Sequence, residues 1–319
     1  MTKYQRHVFQ EEIYPVVSMI QIGYLGDTTG MAMNSAFSLA FHRGLGETLY
    51  PSSSTALQKY LNEETISDYA SAAYGKGNFA VVANGVEHGE LSKWVNEFFD
   101  SVPFSSSSAL KSEQSKYHGG EERIAHASGN AMVLAFPGSS SSTGGFYKPE
   151  VSVLAALLGG QSAIKWSPGF SLLSKATAEV APNMHISTKS TIYSDAGLLT
   201  ITLAGSAKDI QATAKPVVDT LKSVAQGIDK EAFSKAKAQA KFKELEYGQS
   251  TQAGMELSGA GLVHGGKAYQ IDEVAKAVDG VTLEKVQQIA KEALENKASV
   301  AAVGDLYVLP WAEEIGLKI

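Results

Sequence analysis

Several short patterns in this sequence carry residue types that chemistry uses. Gly261-Leu-Val-His-Gly-Gly266-Lys267 has the glycine and lysine spacing of a phosphate-binding loop, in which backbone N–H groups cradle phosphates and a following hydroxyl holds magnesium. Ala268 stands where that hydroxyl is needed, and the preceding residues have a helical pattern where the motif requires a strand. The similarity of Val263-His264-Gly-Gly to Phe41-His42-Arg-Gly points to a turn that ends a helix. Asn84-Gly-Val-Glu87-His88 lies one residue from the H-x-x-E-H zinc motif, which needs two imidazoles on one helical face and a glutamate as general base. Asn84 is no substitute for an imidazole, and Gly85 ends an expected strand, which spoils the helical geometry.

The remaining candidates are weaker. His7, His42, His118, His126, His185 and His264 show no i,i+4 pairing. Ser105–Ser108 and Ser139–Ser142 fall in expected loops without the strand-to-helix elbow of a serine hydrolase. Asp27-Thr-Thr-Gly30 has one residue too many for an aspartic protease signature. The acid pairs Glu11/Glu12, Glu63/Glu64 and Glu121/Glu122 are expected to face solvent or helix N-termini. The residues therefore supply no catalytic, no cofactor-binding and no metal-binding constellation, and their default reading is a structural or interaction protein.

Composition sets the frame for the elements. The chain has 319 residues, 44% hydrophobic and 19% charged, with a formal net charge of -6 and no cysteine. That length suits about two domains. Without clustered Lys and Arg nothing favours nucleic acid or an anionic membrane surface. The absence of cysteine excludes disulfides and thiolate chemistry. The longest apolar runs, such as Ala131–Phe136, fall far short of the roughly 20 residues of a membrane-spanning helix. Neither a signal peptide nor an Arg-rich transit peptide is visible in residues 1–20, so an imported protein would have lost its address.

One unit occurs twice. Thr65–Gly85 reads as a helix leading into a short buried strand that ends on glycine, and Thr282–Gly304 repeats it. Thr65/Thr282, Ile66/Leu283, Tyr69/Val286, Ala73/Ala290, Val81/Val300 and Gly85/Gly304 fall in register with two residues gapped. A period of roughly 220 residues is too long for a solenoid and means two copies of one domain. Phe9-Gln-Glu-Glu-Ile-Tyr14 and Phe242-Lys-Glu-Leu-Glu-Tyr247 also correspond.

In copy one, a helix over Gln5–Ile22 is expected to kink or end at Pro15, and Gly23–Gly30 reads as a loop. Met31–His42 is an apolar helix closed by Gly44 and Gly46, and a turn at Pro51–Ser54 precedes a further N-capped helix. Glu87–Phe99 is amphipathic, with Trp94 as an expected core anchor. Residues 105–117, polar and low in complexity, read as a linker. Copy two shows a strand at Ala131–Phe136, helices at Pro149–Leu158 and Ser171–Val180, and a hairpin over Met184–Gly205. Helices over Ser206–Ala225, with a kink expected at Pro216, and Asp229–Tyr247 follow. About 120 residues precede Phe242 in copy two and eight precede Phe9 in copy one. The expected division is thus 1–104, the C-terminal half of a first domain; 105–117, linker; and 118–319, a complete second domain. An opening half of more than about 100 residues, or a partner standing in for it, is expected to cover the first.

His42–Pro51 (HRGLGETLYP), Tyr74–His88 (YGKGNFAVVANGVEH) and Gly119–Ala125 (GGEERIA) resemble the pitrilysin-type zinc peptidases, peptidase family M16. That family includes the mitochondrial processing peptidase and the core proteins of respiratory complex III, and the resemblance covers essentially the whole chain. Ala156–Ile201 and Val303–Ile319 are most similar to the non-catalytic core proteins. A processing peptidase alpha subunit would carry a longer glycine-rich loop than Gly159-Gly160.

The resemblance implies an α/β (α+β) fold of two homologous domains, each an antiparallel-rich sheet flanked by helices, of the LuxS/MPP-like metallohydrolase type, the first incomplete. It implies a non-catalytic core subunit of the cytochrome b-c complex, without cofactor, on the matrix side of the mitochondrial inner membrane. Core protein 1 and the other complex III subunits would be its partners and would hold it at the membrane. The alternative within the family is a subunit of a processing peptidase. The family's zinc motif would precede this stretch, and Glu11 and Glu12, the acids nearest its distal ligand, take no metal role without a histidine pair.

Overall fold

The computed structural model describes residues 5–47, 62–76, 78–102, 114–142, 145–160, 169–265, 267–268 and 271–319. Helix α1 comprises Arg6–Val8, a π-helical turn at Phe9–Ile13 and Tyr14–Tyr24. Then come α2 (Thr28–Phe41), α3 (Glu63–Ala73), α4 (His88–Phe98), β1 (Gly120–Ala125), β2 (Asn130–Pro137), α5 (Pro149–Leu158) and α6 (Leu172–Ala178). The hairpin β3 (His185–Ile192) and β4 (Gly197–Gly205) is followed by α7 (Ala207–Gln226), α8 (Lys230–Gly248), α9 (Thr251–Gly265), α10 (Ile271–Asp279), α11 (Leu283–Glu295) and β5 (Ser299–Gly304). The turn expected at Pro51–Ser54 and most of the linker lie outside the described residues. Packing forms two compact units, a larger one of residues 25–49, 114–245 and 272–319 and a smaller one of 1–24, 50–113 and 246–271.

The larger unit is built on a five-stranded sheet of order β1-β5-β2-β4-β3, with β1 and β5 parallel and the other pairs antiparallel. The run Ala131–Phe136 makes β2 a strand buried on both faces, as unbroken apolar runs require. Met132, Leu134 and Phe136 join Leu199, Ile201, Leu203 and Val300 on one face, under α5, α7 and α11. Val133, Ala135, Leu198, Ala301 and Val303 form the other face, covered by α2 through Ala32, Ala36, Ala40 and Phe41. Small residues on both sides of this seam let the helix lie close to the sheet.

Local chemistry sets the element ends. Ser171, Ser206 and Thr282 accept the N-terminal N–H groups of α6, α7 and α11. Pro216 sits inside a continuous α7. Asp27 accepts from Gly30 N at 3.0 Å and starts α2 at Thr28, inside the stretch whose composition suggests a loop. Gly159 closes α5 at φ 64°, and a side chain at Gly160 would stand 2.3 Å from the Ile186 carbonyl oxygen of β3. The two glycines are what the crossing of α5 over the sheet edge needs.

The repeat divides the chain near 104 and 118, whereas packing places α2 with the larger unit. The reason is physical: the second face of that sheet is apolar and α2 is the element that covers it.

In the smaller unit, the helix expected to kink or end at Pro15 runs on. Proline has no N–H for the carbonyl four residues back. The chain widens just ahead of it, with the Tyr14 N–H reaching back five residues to Phe9 O. Helix α3 forms as the repeat predicts, with a reciprocal Asn62/Thr65 capping box.

Two expectations fail here. Residues 79–83, expected as a buried strand, pair in no ladder, because no neighbouring strand lies beside them among the described residues. Trp94, expected as a core anchor, is 51% exposed on an α4 without a buried residue, since no described residue covers the apolar row of that helix. Phe9, Ala70 and Ala253 are the buried apolar side chains among the unit's described residues.

Candidate functional site

A polar cluster in the larger unit is built on β1. Glu121 and Arg123 are two apart on a strand and share one face. They pair at 3.2 Å, with side chains 5% and 8% exposed. The guanidinium also donates to Leu306 O (3.0 Å), Leu309 O (2.8 Å) and Pro310 O (2.9 Å), and stacks over the Trp311 ring at 4.1 Å. Glu121 accepts from Ala312 N at 3.2 Å. The expectation that this acid pair faces solvent or a helix N-terminus is corrected for Glu121, which is held in an ion pair, and holds for Glu122, which is exposed and accepts the Ser35 hydroxyl of α2. The cause is the fork of donors on Arg123, which satisfies carboxylate and carbonyls at once. The cluster fastens the C-terminal segment to the sheet. Its charged groups are partnered by one another and by main-chain groups of that segment.

Tyr117 is a second anchor. Its hydroxyl donates to Ala135 O (3.2 Å) and accepts from Ser299 Oγ (3.0 Å), and burial pushes its pKa up to about 12. Its ring meets Phe41 edge-on at 6.4 Å, fixing the end of α2. Beside it His42 and His118 stack with centroids 3.9 Å apart, and His118 N donates to Ala40 O at 2.8 Å. Loss of hydration, then His42 and Lys116, hold the His118 pKa below its ordinary value. Sequence spacing alone gave no sign of this pair, whose members are joined by tertiary structure.

Two open clefts mark the larger unit. One of about 540 Å3 has Leu157, Leu172 and Ala236 among its lining and Lys175, Lys235, Asp229 and Glu231 at its rim, where Lys235 and Glu231 pair at 2.6 Å. The other, about 400 Å3, is lined in part by Tyr117, Phe146, Lys148 and Asp195, and Asp195 accepts from Ser115 N at 2.8 Å. Neither lining places a nucleophile against a base.

The motifs singled out by type land as follows. Residues 261–265 of the glycine-lysine pattern lie in α9, where a phosphate cradle needs a loop. Asn84–Val86 form a bend with Gly85 at φ 81°, Glu87 is the N-cap of α4, and the His88 ring lies 3.4 Å from Ser92 Oγ. A zinc ion of the kind used by active peptidases of the resembled family does not fit there, because Asn84, Glu87 and His88 share no helical face. Among the described residues no group of three His, Cys, Asp or Glu gathers in a metal-holding arrangement. Ser139 and Ser140 are buried and bind loop backbone, donating to or accepting from Ser140 O, Ser141 O, Phe146 N and Lys148 N.

The sheet, with β5 between β1 and β2, helices on one face and a single helix on the other, defines a class of domain. The fold is shared with a chain of the solved structure "Complex III2 from Candida albicans, Inz-5 bound" at a TM-score of 0.81, covering 94% of this chain and 72% of that one. At 14% identity that likeness is one of fold. Residues 60–240 match the family model described as the Peptidase M16 inactive domain.

Over 319 residues the chain is 47% identical to the "Cytochrome b-c1 complex subunit 2, mitochondrial" of Neurospora crassa, spanning all of this chain and 69% of that protein. The protein of the same name from Schizosaccharomyces pombe is 32% identical over 317 residues, 98% of this chain and 71% of the relative. The chain belongs to the peptidase M16 family, in the group formed by the cytochrome b-c1 complex subunit 2 proteins.

Proposed function

We propose that this chain is a non-catalytic structural subunit of the mitochondrial cytochrome b-c1 complex, seated on the matrix side of the inner membrane. It pairs with core protein 1 and supports the assembly of the redox subunits. The observation that carries this reading is 47% identity over the whole chain to a subunit 2. The family model over residues 60–240 is described as inactive, which agrees with a scaffold. Among the described residues no helix is long and apolar enough to cross a membrane, so the reading attaches the chain through its partners. The larger unit suits that role: its buried polar side chains at Glu121, Arg123 and Tyr117 are spent on holding backbone and core together.

The test is purification of the tagged protein from mitochondria of its source. Recovery with cytochrome haem absorbance, retention on membranes until carbonate extraction, and no cleavage of a presequence peptide are expected. Stoichiometric zinc with turnover of that peptide, and no haem, would replace the scaffold by the processing-peptidase alternative.

A further inference from the structure

The sequence contains the dipeptide Asn-Gly once, at Asn84-Gly85. It sits in the exposed bend of residues 84–86, between the extended stretch 79–83 and the start of α4. The amide carbon of an asparagine can close a five-membered ring with the main-chain nitrogen of the residue that follows. How often the two meet depends on how freely that peptide turns and on what crowds the nitrogen. Glycine, without a Cβ, leaves the approach open. Gly85 stands at φ 81°, and apart from its chain neighbours no atom lies within 4 Å of where a side chain would begin. Among the described residues nothing accepts its N–H, and nothing holds the Asn84 side chain. The other asparagines are placed differently. Asn62 accepts Thr65 N at 2.9 Å, Asn78 donates to Ala72 O at 3.3 Å, and Asn130 both donates to Gly205 O and accepts from Asp305 N. Asn34 and Asn96 lie inside α2 and α4, where the next N–H is a helical donor. Asn183 and Asn296 precede Met184 and Lys297, whose side chains crowd the nitrogen. Asp279-Gly280, the acidic analogue, is closed as well: Gly280 N donates to Lys276 O at 3.1 Å, and Asp279 pairs with Lys241.

We propose that Asn84-Gly85 is a site of spontaneous covalent modification. The Gly85 nitrogen attacks Asn84 Cγ. An N–Cγ bond forms, the Cγ–Nδ2 bond breaks, and the proton of the attacking nitrogen passes through water to the departing NH2, which leaves as ammonia. The product is a five-membered succinimide. Water then opens the ring at one of its two carbonyls. Attack at the α-carbonyl, the more electrophilic, breaks that carbon's bond to the Gly85 nitrogen and leaves the chain running through the side-chain carbon, an isoaspartyl link. Attack at Cγ leaves an ordinary aspartyl. The net exchange is water for ammonia, with no oxidant, reductant or cofactor. Either product adds one negative charge to a chain of formal net charge -6. The isoaspartyl link also lengthens the main chain by one carbon at the joint between residues 79–83 and α4. Its free α-carboxylate is the group methylated by isoaspartyl carboxyl methyltransferases, so the modified chain joins the substrates of that repair chemistry.

The experiment ages the 319-residue chain at neutral pH in water enriched in heavy oxygen and then maps its peptides by mass. Oxygen taken up on ring opening marks conversion in the intact protein and separates it from conversion during digestion. The expected result is label at position 84, with isoaspartyl as the larger share, appearing about tenfold faster than at any other asparagine because only there is the attack unobstructed. The aged chain is expected to accept methyl groups from such a methyltransferase and S-adenosylmethionine, up to one per converted chain. Asn84→Gln, whose ring would need six members, and Asn84→Ser, which has no amide, are expected to lose both label and methyl acceptance while keeping the parent's circular dichroism. No label at position 84, label spread evenly over the asparagines, or methyl acceptance that survives Asn84→Gln would overturn the proposal.

Discussion

Glu121 and Arg123 illustrate how much a buried pair depends on its remaining partners. Two charges taken out of water lose several kcal/mol of hydration each, and their mutual attraction offsets this only when every donor is used. Here the guanidinium reaches one carboxylate and three carbonyls, and its flat face rests on Trp311. Removing one member strands the other. Arg123→Ala is expected to cost about 3–5 kcal/mol in urea unfolding followed by circular dichroism. Arg123→Lys fares little better, since an ammonium lacks the fork. The double change Glu121→Leu with Arg123→Met is expected to recover most of the loss; equal instability of single and double variants would sink this account. The two-residue spacing of Glu121 and Arg123 is legible as one shared face only once Gly120–Ala125 is known to be a strand. The carbonyls of Leu306, Leu309 and Pro310 are not, because backbone acceptors carry no side-chain signature. Tyr117 gives a second prediction at this scale. Its pKa is raised on folding from 10.0 to about 12, so the folded state favours the protonated hydroxyl. The stabilisation is complete below pH about 10 and fades as pH climbs towards 12, a total of about 2–3 kcal/mol. Tyr117→Phe is expected to flatten the stability profile between pH 10 and 12; a slope like the parent's would refute it.

At the scale of elements, β2 and β5 were legible because burial on both faces leaves unbroken apolar runs, and the hairpin because Ser194–Gly197 separates two strand-like runs, of which only β4 is predominantly apolar. The α2 helix was legible as a helix, but not in its destination. Its row of Ala32, Ala36 and Ala40 calls for close approach to something flat and does not say which sheet. The same limit explains the miss at 79–83. A strand pattern records a preference for an extended backbone, while a strand exists only where a neighbour supplies ladder bonds. Residues 299–304 have β1 and β2 beside them; 79–83 have no such neighbour among the described residues. The α2 seam is testable. Ala36 is fully buried against the sheet, so Ala36→Leu overfills the contact and is expected to cost about 1–3 kcal/mol. Ala36→Ser, nearly isosteric, is expected to cost less than the leucine. If the leucine variant unfolds at the parent's denaturant midpoint, α2 does not lie on this sheet.

On the scale of the whole chain, the two units differ in what holds them. The larger one buries apolar side chains on both faces of a sheet, and the smaller one buries three among its described residues. Local opening costs least where few apolar contacts are lost, so a protease reaches the smaller unit first. The repeat alone predicts that 117–319 survives as a block while 1–104 is degraded. Packing changes that forecast in two places: α2 belongs with the resistant part, and α9 belongs with the labile part. Brief digestion is therefore expected to cut within residues 63–100 and 251–265 and to spare β2, β4, β5 and α7. A fragment containing Thr28–Phe41 is expected to stay bound to the resistant core through gel filtration, although the chain that joins them is cut. Its separation from the core, or equal rates of cutting in the two units, would mean that the sheet's second face is not where α2 is held, and the packing argument would fail with it.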